Sequence, residues 1–92
     1  MSDADAIRTR LKEIIAHVAG LDPARIPDEA TLRDDLNLDS LSLLEIGVDV
    51  DYNFQLGLAD DRYKEIDNLP AMVVLVQERL GELARKAQAV EG

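Results

Sequence analysis

Apolar residues return at helical spacing in three separate stretches of the chain. Ile7, Leu11, Ile14, Ile15 and Val18 form the first set and predict an amphipathic helix. Asp3 and Asp5 suit its positive N-terminal end, and Gly20 is placed to stop it. Residues 20–39 form a long connection holding Pro23 and Pro27. Ile26, Leu32, Leu36 and Leu38 are apolar beads along it, so it is expected to pack on the core. A second helix is predicted from Ser40 to Phe54, with Asp39 as its N-cap. Gln55 to Ala59 reads as a loop, and Asp60 to Ile66 as a short third helix. Asn68 caps a last helix that tolerates Pro70 in its first turn; its stripe is Leu69, Met72, Val73, Val76, Leu80, Leu83 and Ala84. No hairpin turn and no sustained alternation signal a strand. The expected fold is therefore all-α, a bundle of three main helices plus one short one.

The second helix carries two apolar stripes rather than one. At about 100° per residue, Leu43, Ile46, Val50 and Phe54 gather on one side, and Leu41, Leu44, Val48 and Tyr52 on roughly the opposite side. Ser42, Glu45, Asp49, Asp51 and Asn53 lie between them. Two opposed faces mean a central helix or a helix whose second face meets something else. A chain of 92 residues offers few neighbours with which to surround a helix. The Leu43 stripe is assigned to the core and the Leu41 stripe to a partner, the alternative being that both are internal.

Length and composition narrow the function. The 92 residues fit one domain, read as 1–92 with an ordered core over about 4–86 and a frayed C-terminal tail. With 47% hydrophobic and 32% charged residues, a soluble folded domain is expected. There is no Cys, hence no disulfide and no thiolate, and the single His17 excludes a His-rich metal site. The N-terminus lacks a signal-peptide pattern and no apolar run reaches a membrane span, so a cytoplasmic location is expected. A net charge of −9 argues against nucleic acid and for basic protein partners. Between Asp34 and Asp61 stand eight acids and no Lys, Arg or His. That window is either a solvated acidic face or a surface that steers cationic partners.

The residues offer three candidate chemistries. Asp49-Val50-Asp51-Tyr52-Asn53 begins like a calcium loop, with Asp60 at the twelfth position. The required Gly at position six is Phe54 and the Glu at twelve is Asp, so no calcium site is expected. One Ser and one His make no catalytic triad, and no enzyme constellation is present. Asp39-Ser40-Leu41 is different. Taken alone it reads equally as an ordinary helix start. In its context, Asp35-Leu36-Asn37-Leu38-Asp39-Ser40-Leu41-Ser42-Leu43-Leu44-Glu45-Ile46 resembles the phosphopantetheine attachment region of acyl carrier proteins. Asp35, Leu36, Asp39, Ser40, Leu41 and Glu45 fit that pattern. Phe54, the Asp60-Asp61 loop, Ile66 and the last helix extend the resemblance over most of the chain.

The resemblance implies a discrete, non-catalytic carrier. A phosphopantetheinyl transferase would move 4'-phosphopantetheine from coenzyme A to the Ser40 hydroxyl as a phosphodiester. The helix N-terminus suits the phosphate, while Asp39 opposes its charge and is assigned to orienting the transferase or its metal. The arm's thiol explains thioester chemistry in a Cys-free protein. Acyl or polyketide intermediates would then be delivered to acyl-transferring, ketosynthase or related enzymes with basic patches. Asp35, Asp39, Leu41, Leu44, Glu45, Val48, Asp51 and Tyr52 are the expected docking residues of a monomer. Peptidyl and D-alanyl carriers share the same arm, and an unmodified acidic adaptor is the rival of another class. Ser42 and Tyr52 stand where family members often carry acids. Gly47 sits mid-helix at a cost of about 1 kcal/mol relative to Ala, either to leave room for cargo or to admit a neighbouring helix.

Overall fold

A computed structural model describes residues 3–57, 63 and 66–91, with side chains as far as Lys86. Helix α1 is Ala4–Ala19, α2 is Ser40–Phe54 and α3 is Leu69–Glu91. A single 3₁₀ turn, Pro23–Arg25, interrupts the long first connection. The all-α bundle expected from the periodicity is the fold observed. Helix α1 starts where Asp3 accepts a hydrogen bond from the Asp5 N–H at 3.1 Å. It ends at Gly20, which takes the left-handed φ of 71° and donates its N–H to the Ala16 carbonyl. Ile7, Leu11, Ile14 and Ile15 are buried as the spacing predicts.

Helix α1 is the shared wall, packing against both α2 and α3. Leu11 and Ile15 from α1, Ile46 and Val50 from α2, and Leu69 and Val76 from α3 are fully buried between them. Each contributes about 1.5–3 kcal/mol through the apolar surface it removes from water. Helix α3 has 23 residues and so runs about 34 Å, against about 24 Å for the 16 of α1. It outruns α1, the helix it packs on. That corrects one expectation: Ala84 is exposed rather than part of the buried stripe, and Leu83 is only half-buried. Leu75, which the predicted stripe omits, is buried.

The connection before α2 is pinned at several points. Ile26, Leu32 and Leu38 are buried and Leu36 packs on the core, as expected of the beads. Thr31 and Asn68 form an isolated antiparallel bridge. Leu32 N–H donates to the Asp67 carbonyl at 2.7 Å, and Leu69 N–H to the Ala30 carbonyl at 2.9 Å. The chain entering α2 is thereby tied to the start of α3, where Asn68 accepts from the Ala71 N–H at 2.8 Å. Lys12 of α1 pairs with Asp28, whose carboxyl is held below its ordinary range by that hydrogen bond and charge.

After α2, Gln55 adopts φ 53° and caps the helix, and Leu56 turns into the core. Arg79 of α3 donates through Nε to the Leu56 carbonyl at 2.7 Å. The short helix expected from Asp60 to Ile66 lies largely outside the described residues. Within it Tyr63 is helical and buried, and the Ile66 N–H donates to its carbonyl at 3.1 Å.

Candidate functional site

Ser40 is the first residue of α2 and is exposed. Its position follows from what precedes it. Leu38 is buried and donates its N–H to the Leu32 carbonyl at 3.1 Å, fixing the chain two residues upstream. Asn37 takes the left-handed φ of 56°, a turn that Asn tolerates better than most residues. Asp39 is extended, with φ −93° and ψ 178°, and its Oδ1 accepts from the Ser42 N–H at 2.8 Å. That bond is the N-cap the sequence predicts. Among the described residues no hydrogen bond holds the Ser40 hydroxyl. It therefore faces solvent beside the N–H groups of the first turn, which carry partial positive charge and suit a phosphate.

The Ser42 N–H bond holds the Asp39 carboxyl below its ordinary pKa. A carboxyl lowered on folding stabilises the fold above the ordinary aspartate value of 3.8 and stops doing so as pH falls through its folded value. Asp39→Ala is accordingly expected to lower the urea midpoint at neutral pH. The gap from wild type should close as pH falls below that value. A gap that stays constant down to the acid limit of folding would show that the cap does not use the charge.

The two stripes of α2 separate as the wheel predicts. Ile46 and Val50 are fully buried, and Leu43 and Phe54 pack half-buried on the core. On the other side Leu41 is 64% exposed, Leu44 43%, Val48 53% and Tyr52 81%. Four large apolar side chains thus form a stripe on the surface beginning next to Ser40. Glu45 is exposed beside it. A shallow groove between α1 and α2 is lined by His17, Val18, Leu44, Glu45, Val48 and Asp49.

The other acids assigned to docking are engaged within the chain. Asp35 accepts from the Thr31 N–H at 2.9 Å, while its own N–H donates to the Thr31 hydroxyl at 3.0 Å. Asp51 is half-buried, and its Oδ1 accepts from the Tyr63 hydroxyl at 3.1 Å. Neither contact was foreseen, because each joins a residue to one whose placement depends on a loop. Of the two roles expected for Gly47, the structure supports the close approach of a helix, since its near neighbour is Tyr63, which is helical. A Cβ there would stand 3.0 Å from Cγ of Tyr63, so the glycine makes way for that ring. The only sequence signal was a glycine inside an otherwise strong helical pattern.

Asp49, Asp51 and Asn53 lie on helix α2, not on a calcium loop, and Asn53 instead accepts from Arg10 of α1. Among the described residues no three His, Cys, Asp or Glu side chains gather as a metal site. No described helix is long and apolar enough to cross a membrane.

Residues 9–83 match the family described as a phosphopantetheine attachment site. The chain is 30% identical over 81 residues to an acyl carrier protein of Thermotoga maritima, covering 88% of this chain and all of that one. It is 33% identical over 75 residues to polyketide-8 synthase acyl carrier protein 2 of Streptomyces avermitilis, covering 82% and 86%. It is 31% identical over 80 residues to the meromycolate extension acyl carrier protein of Mycobacterium bovis, covering 87% and 70%. With an exposed serine opening α2 of a small helical bundle, and with matches spanning most of each chain, this protein belongs to the phosphopantetheine-bearing acyl carrier protein family.

Proposed function

We propose that residues 1–92 act as one carrier domain that bears 4'-phosphopantetheine on Ser40 and conveys acyl or polyketide intermediates between enzymes. The observation that carries this reading is the exposed Ser40 hydroxyl, unengaged among the described residues, at the first residue of α2 and inside the matched region. The arm, when attached, supplies the thiol that forms the thioester. The chain's own part is to hold a hydroxyl at a fixed place, favour a phosphate there and present a surface. On this reading it catalyses nothing itself. The names of its relatives include a polyketide synthase carrier and a meromycolate extension carrier, which favours acyl or polyketide cargo over peptidyl or D-alanyl cargo. A cytoplasmic, monomeric carrier is part of this reading.

Incubation with coenzyme A and a broad-specificity phosphopantetheinyl transferase should raise the intact mass by one arm. A mass that never changes would leave the unmodified acidic adaptor as the reading. Partners are expected to present basic patches to α2, through the Leu41–Tyr52 stripe and the acids beside it. Glu45 is exposed there, and the window from Asp34 to Asp61 holds eight acids and no cation. Association rates should therefore fall as ionic strength rises, since salt shortens the reach of surface charge to about 10 Å at 0.1 M. Rates indifferent to salt would mean that the acids serve only solubility.

A further inference from the structure

Thr31 stands at a fixed point of the fold. Its bridge to Asn68 is made by the Leu32 N–H on the Asp67 carbonyl at 2.7 Å and the Leu69 N–H on the Ala30 carbonyl at 2.9 Å. Those two bonds flank Thr31 and use neither its own N–H nor its own carbonyl. The turn that follows takes both. The Thr31 N–H donates to Oδ2 of Asp35 at 2.9 Å, and the Thr31 carbonyl accepts from the N–H groups of Asp35 and Leu36 at 3.2 and 3.3 Å. The Thr31 hydroxyl also accepts from the Asp35 N–H, at 3.0 Å. Each side chain thus accepts from the other residue's backbone, in the reciprocal manner of a capping box.

The turn leads directly to the serine. Leu38 closes it, with its N–H on the Leu32 carbonyl at 3.1 Å, and Asp39 then caps α2. Leu32 and Leu38 are buried, whereas Arg33, Asp34 and Asp35 are exposed. Burial holds the base of the turn, and the Thr31–Asp35 pair holds its exposed part.

The sequence alone places Asp35 among the docking acids. We infer that Asp35 is instead a positioning residue, whose carboxylate locks the turn after Thr31 and so fixes where the chain presents the Ser40 hydroxyl. The inference rests on the carrier reading proposed above. In arm transfer the Ser40 oxygen forms the new bond to phosphorus, the phosphoanhydride bond to the adenosine bisphosphate breaks, and the serine proton goes to water. A hydroxyl on a loosened lead is less often in line with that phosphorus, so the loss falls on kcat. A lost docking charge would instead raise KM and leave kcat alone.

The test uses the full chain, coenzyme A and a phosphopantetheinyl transferase, with arm transfer followed by mass at a temperature where the variants are folded. Asp35→Ala removes the acceptor. It should lower kcat by about tenfold, within the roughly hundredfold that a misplacement of about 1 Å can cost, and leave KM nearly unchanged. Asp35→Asn removes the charge but keeps an oxygen for the Thr31 N–H, and should match wild type in both constants. Thr31→Val keeps the Asp35 charge and removes the hydroxyl; it should lower kcat in the same direction as Asp35→Ala. A raised KM with unchanged kcat in Asp35→Asn would return Asp35 to docking and overturn the inference. So would an unchanged kcat in Asp35→Ala, whatever its unfolding midpoint, because a purely structural pair moves only the midpoint. If Asp35→Ala does not fold, the other two variants decide: a lowered kcat in Thr31→Val with wild-type constants in Asp35→Asn supports positioning, and an unchanged kcat in Thr31→Val overturns it. If wild type gains no arm at all, the carrier reading falls and this inference with it; if wild type is modified normally, only the role of Asp35 is at stake.

Discussion

Ser40→Ala is expected to reduce arm transfer to nil while leaving the unfolding midpoint close to that of wild type. On the proposed carrier reading the hydroxyl is the nucleophile that takes phosphopantetheine from coenzyme A, so its removal leaves no oxygen to form the phosphodiester. The fold should not notice. Ser40 is exposed and its hydroxyl has no hydrogen-bond partner among the described residues. Alanine is a good helix former, and surface substitutions of this kind stay within about 0.5 kcal/mol. Ser42 provides the internal control. It lies about 200° around the helix from Ser40, and its N–H is committed to the Asp39 cap. Intact mass after transferase treatment, with peptide mapping of any modified species, reads the result. An arm mapped to Ser42 in either protein would move the site.

The second large effect separates the two faces of α2. Ile46 is fully buried among residues from all three helices. Ile46→Ala removes methyl groups from that core and leaves a cavity, at a cost of about 2–5 kcal/mol. A domain of this size has about 5–15 kcal/mol in total, so the denaturant midpoint should fall steeply. Leu44 is 43% exposed on the opposite stripe, one turn beyond Ser40. Leu44→Ala opens no enclosed cavity and should cost well under the Ile46 change, about the scale of an ordinary surface substitution. Its effect should appear instead as slower modification of Ser40 or slower cargo transfer. Equal loss of stability in the two variants would make both faces structural and move the docking surface to the loops around Asp34 and Asp60.

What could be read directly from the chain was whatever depends on neighbours within a few residues. The helix spans follow from apolar spacing and from caps that bond two to four positions away. Asp3, Gly20, Asp39 and Asn68 all cap where their residue types and positions indicate. The serine, its helix start and the two stripes are local in the same sense. So is the acidic window, because its charge is a sum that folding does not alter.

Only the tertiary structure decided which of those groups remain available. Asp35, Asp39 and Asp51 look alike as acids near Ser40, yet Thr31, the Ser42 N–H and Tyr63 engage them in three different ways. The Asp51 contact spans twelve residues and depends on how the chain returns after α2. The same holds for the pairing of Leu32 with Asp67, which fixes the chain leading to Ser40. Ala84 is exposed although it continues the apolar stripe, because periodicity shows which face of a helix is apolar, but not how far its neighbours extend alongside it. Gly47 could mark cargo space or a close helix, since a missing Cβ permits both. The buried ring of Tyr63, a helical residue, selects the second.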